Sequence, residues 1–90
     1  MTCNLSFTAN LCRHVHAPAA QVEGASVREA LERYFRDHPR VRGYVLDDQG
    51  MLRKHVAIFV NTELIRDRVG LSDPLRTGDD IYVVQALSGG

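Results

Sequence analysis

The 90-residue chain is long enough for one hydrophobic core and too short for two, since a domain of this size buries only about 60% of its unfolded surface. Its 44% apolar and 24% charged residues are ordinary for a globular domain, and no apolar run is long enough to cross a bilayer. Eleven basic residues cancel eleven acidic ones, which removes the global field that would draw in nucleic acid or an anionic membrane surface. The opening Met1-Thr2-Cys3-Asn4 lacks the basic and apolar segments of a signal peptide, so the expected location is cytoplasmic. Cys3 and Cys12 are too few for a disulfide framework, and both are expected to be small buried or half-buried residues.

In chain order, Cys3, Leu5 and Phe7 alternate with Asn4, Ser6 and Thr8, the period of a half-buried strand. A weaker strand through Ala20, Gln21 and Val22 returns after the loop around Pro18 and completes a hairpin. Ser26 and Glu29 then form a capping box, in which the Ser26 hydroxyl accepts from the Glu29 amide and the Glu29 carboxylate reaches back to the Ser26 amide. The helix so started carries Val27, Ala30, Leu31, Tyr34 and Phe35 on one stripe and stops after His38, before Pro39.

Tyr44, Val45 and Leu46 lead into Asp47-Asp48-Gln49-Gly50, a turn composition, and then into the strongest strand, residues 55–61. Parity puts Val56, Ile58 and Val60 on its inner face and Ala57 and Phe59 on the outer one. Asn61-Thr62 turns the chain into Glu63 to Arg66, and a loop through Gly70 and Pro74 reaches the Thr77-Gly78-Asp79-Asp80 turn. The last strand is Ile81 to Val84. Strands around a single amphipathic helix predict an α+β domain, a mixed sheet with one face under the helix and the other open to water or a partner.

Catalytic chemistry is hard to place on this chain. Gly24, Gly43, Gly50, Gly70 and Gly78 stand singly in turns, so no nucleotide-binding loop can be drawn and no bound cofactor is expected. Cys12, His14 and His16 lack a fourth ligand at supportive spacing, and no metal site is assigned. The pairs Asp47-Asp48 and Asp79-Asp80 lie beside glycines in turns that favour Asp for backbone reasons. Arg36, Arg40, Arg42, Arg53 and Lys54 form a local basic stretch, but acids interrupt it and stacking aromatics are missing, so a solvated face is favoured over an RNA surface. The chain is therefore read as a non-enzyme.

The informative segment is the end, Leu87-Ser88-Gly89-Gly90. Two residues without side chains can thread a narrow slot in another protein, and the reactive group they deliver is the α-carboxylate of Gly90. Phe59, Val84 and Leu87 are predicted to form an apolar docking patch beside this tail.

Val56-Ala57-Ile58-Phe59-Val60-Asn61, Glu63, Ile65-Arg66, Gly70-Leu71, Pro74-Leu75, Gly78-Asp79 and Gly89-Gly90 together resemble the MoaD/ThiS family of ubiquitin-like sulfur carriers. That group includes the molybdopterin synthase small subunit, the thiamine sulfur carrier and the cysteine-biosynthesis carrier. The resemblance implies a single β-grasp domain over residues 1–90, with residues 85–90 as a flexible tail. It further implies that an E1-like enzyme uses ATP to adenylate Gly90, that sulfur then replaces AMP to leave a thiocarboxylate, and that a downstream sulfur-accepting synthase consumes it. In that scheme Gly89 and Ser88 form the tail. The stretch around Phe59 to Arg66 is more similar to the cysteine-biosynthesis type, and the prolines common in molybdopterin synthase small subunits are missing before the diglycine. A ubiquitin-like modifier conjugated through Gly90 and a plain β-grasp interaction module remain open alternatives.

Overall fold

The structure is a computed structural model and describes residues 2–85. Strand β1 (Thr2–Phe7) buries Cys3, Leu5 and Phe7, as its alternation predicts, and pairs antiparallel with β2 (Ala20–Glu23) in the register Cys3↔Val22 and Leu5↔Ala20. The predicted hairpin is present, but its connection contains a one-turn helix, α1 (Ala9–Cys12), that four residues of sequence could not announce. Leu11 fills the inward side of that turn, which leaves Cys12 on the solvent side. Cys12 is thus exposed, against expectation, whereas Cys3 is buried.

Helix α2 (Val27–Asp37) starts at Ser26, whose hydroxyl accepts from the Glu29 amide at 3.3 Å. The reciprocal bond differs from the expected one, because the Glu29 carboxylate accepts from Ala25 N, at 3.1 Å, instead of Ser26 N. Ser26 is held extended by its bridge to Pro74, and the amide one residue earlier is the one within reach. All five stripe residues are buried. Pro39 ends α2 and also opens α3 (Pro39–Val45), since its fixed φ and missing N–H suit the first position of a helix. Helix α3 was not foreseen, and it sends Val41 and Val45 into the core.

Strands β3 (Val56–Val60), β4 (Glu63–Leu64) and β5 (Asp80–Gln85) complete a five-stranded sheet in the order β2-β1-β5-β3-β4. The last strand is central and runs parallel to the first, while β3 flanks it antiparallel. Val22, Val56, Ile58, Ile81 and Val83 join the inward residues of β1 under α2, where Phe7 and Tyr34 meet with ring centroids 5.1 Å apart. Gln85, placed by the sequence at the head of the tail, is instead the last paired residue of β5, opposite Val56. Among the described residues, no helix is long and apolar enough to cross a membrane.

Candidate functional site

Strand parity sorts β5 between two environments: Ile81 and Val83 are sealed under α2, and Tyr82 and Val84 face the other way. Register then decides what meets on the open face. Tyr82 lies between Ser6 of β1 and Phe59 of β3, Phe59 is opposite Leu64 of β4, and Val84 is opposite Ala57. An apolar row from Leu64 through Phe59 to Tyr82 therefore crosses three strands, with Leu64 54% and Tyr82 42% exposed. Phe59, Asn61, Thr62, Asp80, Tyr82 and Val84 line a shallow hollow of about 470 Å³ on this face.

The rim of the hollow is tied by side-chain hydrogen bonds that link the β3–β4 turn and β1 to the start of β5. Asn61 and Thr62 form the tight β3–β4 turn with φ of 51° and 74°, a left-handed conformation that costs a β-branched threonine dearly. Asn61 is fixed from both ends of its amide: Nδ2 donates to Asp79 Oδ1 at 2.8 Å, and Oδ1 accepts from the Asp80 amide at 2.9 Å. The Arg76 amide and the Asn61 side chain stabilise the charged form of Asp79 and hold its carboxyl below the usual range. The Asp80 carboxylate accepts from Asn4 Nδ2 at 3.0 Å, which ties β1 to the same edge.

At the opposite end of the sheet, Gln85 marks the root of the tail. Its amide donates to Thr8 Oγ1 at 3.3 Å, and its Nε2 lies 3.3 Å from His55 Nε2. Its Oε1 is buried without a hydrogen-bond partner among the described residues.

Of the sequence-predicted site residues, Phe59 and Val84 share the hollow and are half-buried. Leu87, Ser88, Gly89 and Gly90 lie outside the described residues. Leu64, Tyr82, Asn61 and Thr62 complete the face and were not selected from sequence, although the outward parity of Tyr82 was visible. Their convergence depends on the β3–β5 and β3–β4 registers, which no local pattern specifies. The Cys12 thiol points to Ala17 O at 3.4 Å, and among the described residues no group of three or more His, Cys, Asp or Glu is placed to hold a metal ion.

The sequence model of the ThiS family matches residues 12–90. No curated protein matches at a significant level. Among solved structures, small archaeal modifier protein 1 (SAMP1) of Haloferax volcanii superposes with a TM-score of 0.84 at 24% identity, over 100% of both chains. A chain of the BexX/CysO complex from Amycolatopsis orientalis gives 0.81 at 22% identity, covering 98% of this chain and 99% of that one. A chain of the complex of molybdopterin-converting factor subunits 1 and 2 from Helicobacter pylori gives 0.66 at 19% identity, over 100% of both. These likenesses establish the β-grasp, ubiquitin-like fold.

Proposed function

Because the chain belongs to the ThiS family, we propose that it is a sulfur carrier whose working group is the carboxylate of Gly90. The observation that carries this reading is a family match that runs through the diglycine to residue 90. A carboxylate is a poor electrophile until one oxygen becomes part of a good leaving group. An E1-like enzyme supplies that by transferring AMP from ATP to Gly90, with release of pyrophosphate. A persulfide sulfur attacks the acyl carbon, the bond to AMP breaks, and a thiol reductant cleaves the remaining S–S bond to leave the thiocarboxylate. The nucleophilic sulfur then serves a downstream sulfur-accepting enzyme in cofactor or cysteine biosynthesis.

The chain's own contribution is presentation. Gly89 and Gly90 are thin enough to enter a buried active centre, and the open face with Phe59, Tyr82 and Val84 offers the apolar surface on which the activating enzyme docks.

The test is intact-mass analysis after incubation with the activating enzyme, ATP and a sulfur donor. The full chain gains the mass of one oxygen replaced by sulfur, and a chain lacking Gly90 does not. The same fold carries an archaeal modifier, and a lysine amine attacking the activated Gly90 would give an isopeptide bond. Recovery of Gly90 joined to lysine, with no thiocarboxylate, replaces the carrier reading with the modifier one. A tail-deleted chain that supports the same pathway in cells removes both.

A further inference from the structure

The basic stretch that composition alone treated as solvated surface is partly gathered by the fold at one place. The segment 50–54 comes back along α3, with Leu52 bridged to Leu46 and the Arg53 amide donating to Val45 O at 3.0 Å. Arg53 Nε donates to Gly43 O at 2.7 Å, and an Arg68 guanidinium nitrogen donates to Arg53 O at 3.2 Å. Lys54 is exposed beside them. Arg53, Lys54 and Arg68 thus share one corner of the molecule. Among the described residues none of the three forms an ion pair.

The position of this corner gives it meaning. Val56, two residues beyond Lys54, pairs with Gln85, and His55 touches the Gln85 side chain. The cations therefore sit at the sheet end from which residues 86–90 depart. Five residues reach at most about 18 Å even when fully extended. Any enzyme that holds Gly90 in its active centre must bring its own surface against the tail root. A neutral or basic surface there would leave three cations desolvated or repelled, whereas an acidic one matches them.

We infer that Arg53, Lys54 and Arg68 form an electrostatic docking surface for an acidic rim around the slot that receives the tail in the activating enzyme. The inference rests on the carrier reading and adds the chemistry of the partner's surface to it. This corner is distinct from the apolar hollow, whose Asn61–Thr62 rim lies at the far end of β3. It steers encounter and orients the tail, while the hollow supplies area.

The experiment measures association of the full chain with the purified E1-like enzyme by stopped flow across a salt series, alongside intact-mass detection of the thiocarboxylate. Lys54→Glu is the first variant, because Lys54 is exposed and makes no hydrogen bond among the described residues. Arg53→Gln is the second, since glutamine can still donate to Gly43 O without the charge. Lys54→Glu is expected to slow association about tenfold at low ionic strength, and the deficit should shrink to under twofold at 0.5 M salt, where charges are screened within roughly 4 Å. Arg53→Gln gives a smaller deficit with the same salt dependence. Arg33→Glu, on the solvent side of α2, leaves association unchanged.

If wild type forms the thiocarboxylate while both variants associate at its rate at low salt, the docking inference is overturned and the carrier reading stands. If wild type acquires no sulfur with an enzyme active on its own carrier, the carrier reading falls and takes the inference with it. Unchanged association together with Lys54-dependent, salt-sensitive binding of a uridine 20-mer would make the corner a nucleic-acid face and overturn the inference.

Discussion

The two faces of β5 are made from neighbouring residues and have opposite fates. Ile81 and Val83 are at most 1% exposed beneath α2, whereas Tyr82, between them in sequence, is 42% exposed on the face that no helix covers among the described residues. On the covered side the capped stripe of α2 decides the environment, and every apolar side chain there has a packing partner. On the open side Leu64, Phe59 and Tyr82 are apolar as well, yet Leu64 and Tyr82 stay exposed beside a shallow hollow. Hydrophobicity is therefore not what separates core from contact surface in this fold. Coverage is, and the single apolar stripe of α2 can cover only one face.

The largest test of this contrast is Leu31→Ala on the covered side, which should cost about 2–5 kcal/mol in urea unfolding because a fully packed site collapses only in part. A loss under 1 kcal/mol would mean that α2 does not seal the core. Phe59→Asp on the open side should behave in the reverse way. It is expected to cost on the order of 1 kcal/mol of stability, since Phe59 is half-buried, yet to weaken binding to the activating enzyme at least tenfold. Calorimetric titration showing wild-type affinity would move the docking surface elsewhere.

Tyr34 sharpens the comparison through pH. Its hydroxyl donates to Pro18 O at 2.7 Å, and burial pushes its pKa up to about 12 from an ordinary 10. Between these values the unfolded chain releases a proton that the folded chain retains. The contribution is complete below pH 10 and is lost as pH rises through the window. Tyr34→Phe should cost about 1 kcal/mol at neutral pH and flatten the alkaline decline seen in pH-dependent urea melts. The smallest expected effect is a gain: Thr62→Gly relieves the positive φ at the rim of the hollow and should stabilise the fold by about 0.5–1 kcal/mol. Thermal melts of the two proteins at one concentration decide it.

What could be read before folding follows from the range of the interactions involved. The β1 alternation, the α2 stripe and its Ser26 cap are set by residues within four or five positions of one another, and each is found where local periodicity puts it. The short helices α1 and α3 escaped because neither presents a full amphipathic turn pattern, and Pro39 looks the same whether it ends one helix or begins the next. The exposure of Cys12 followed from α1. For the candidate site, parity was enough to turn Phe59 and Val84 outward, but pairing with Tyr82 and Leu64 required registers between distant segments. The corner formed by Arg53, Lys54 and Arg68 needed the fold as well, since Arg68 arrives from a loop beyond β4. Gln85 was assigned to the tail because a polar residue at a strand end carries no sign of its register opposite Val56 or of the Thr8 hydroxyl that its amide meets.

The central position of β5 has a consequence for the time at which the protein becomes competent. The β1–β2 hairpin and the β3–β4 hairpin do not pair with each other; each joins the sheet through β5. A chain synthesised only as far as Gly78 holds two hairpins with open edges and no means of closing them into one sheet. Closure waits on contacts that span most of the chain, such as Leu5 with Ile81, and such contacts form late because a long loop must first be brought together. The strand that closes the sheet is also the one from which the tail departs. Neither hairpin can therefore report a finished domain, and the sheet becomes one body only when β5 is seated between them.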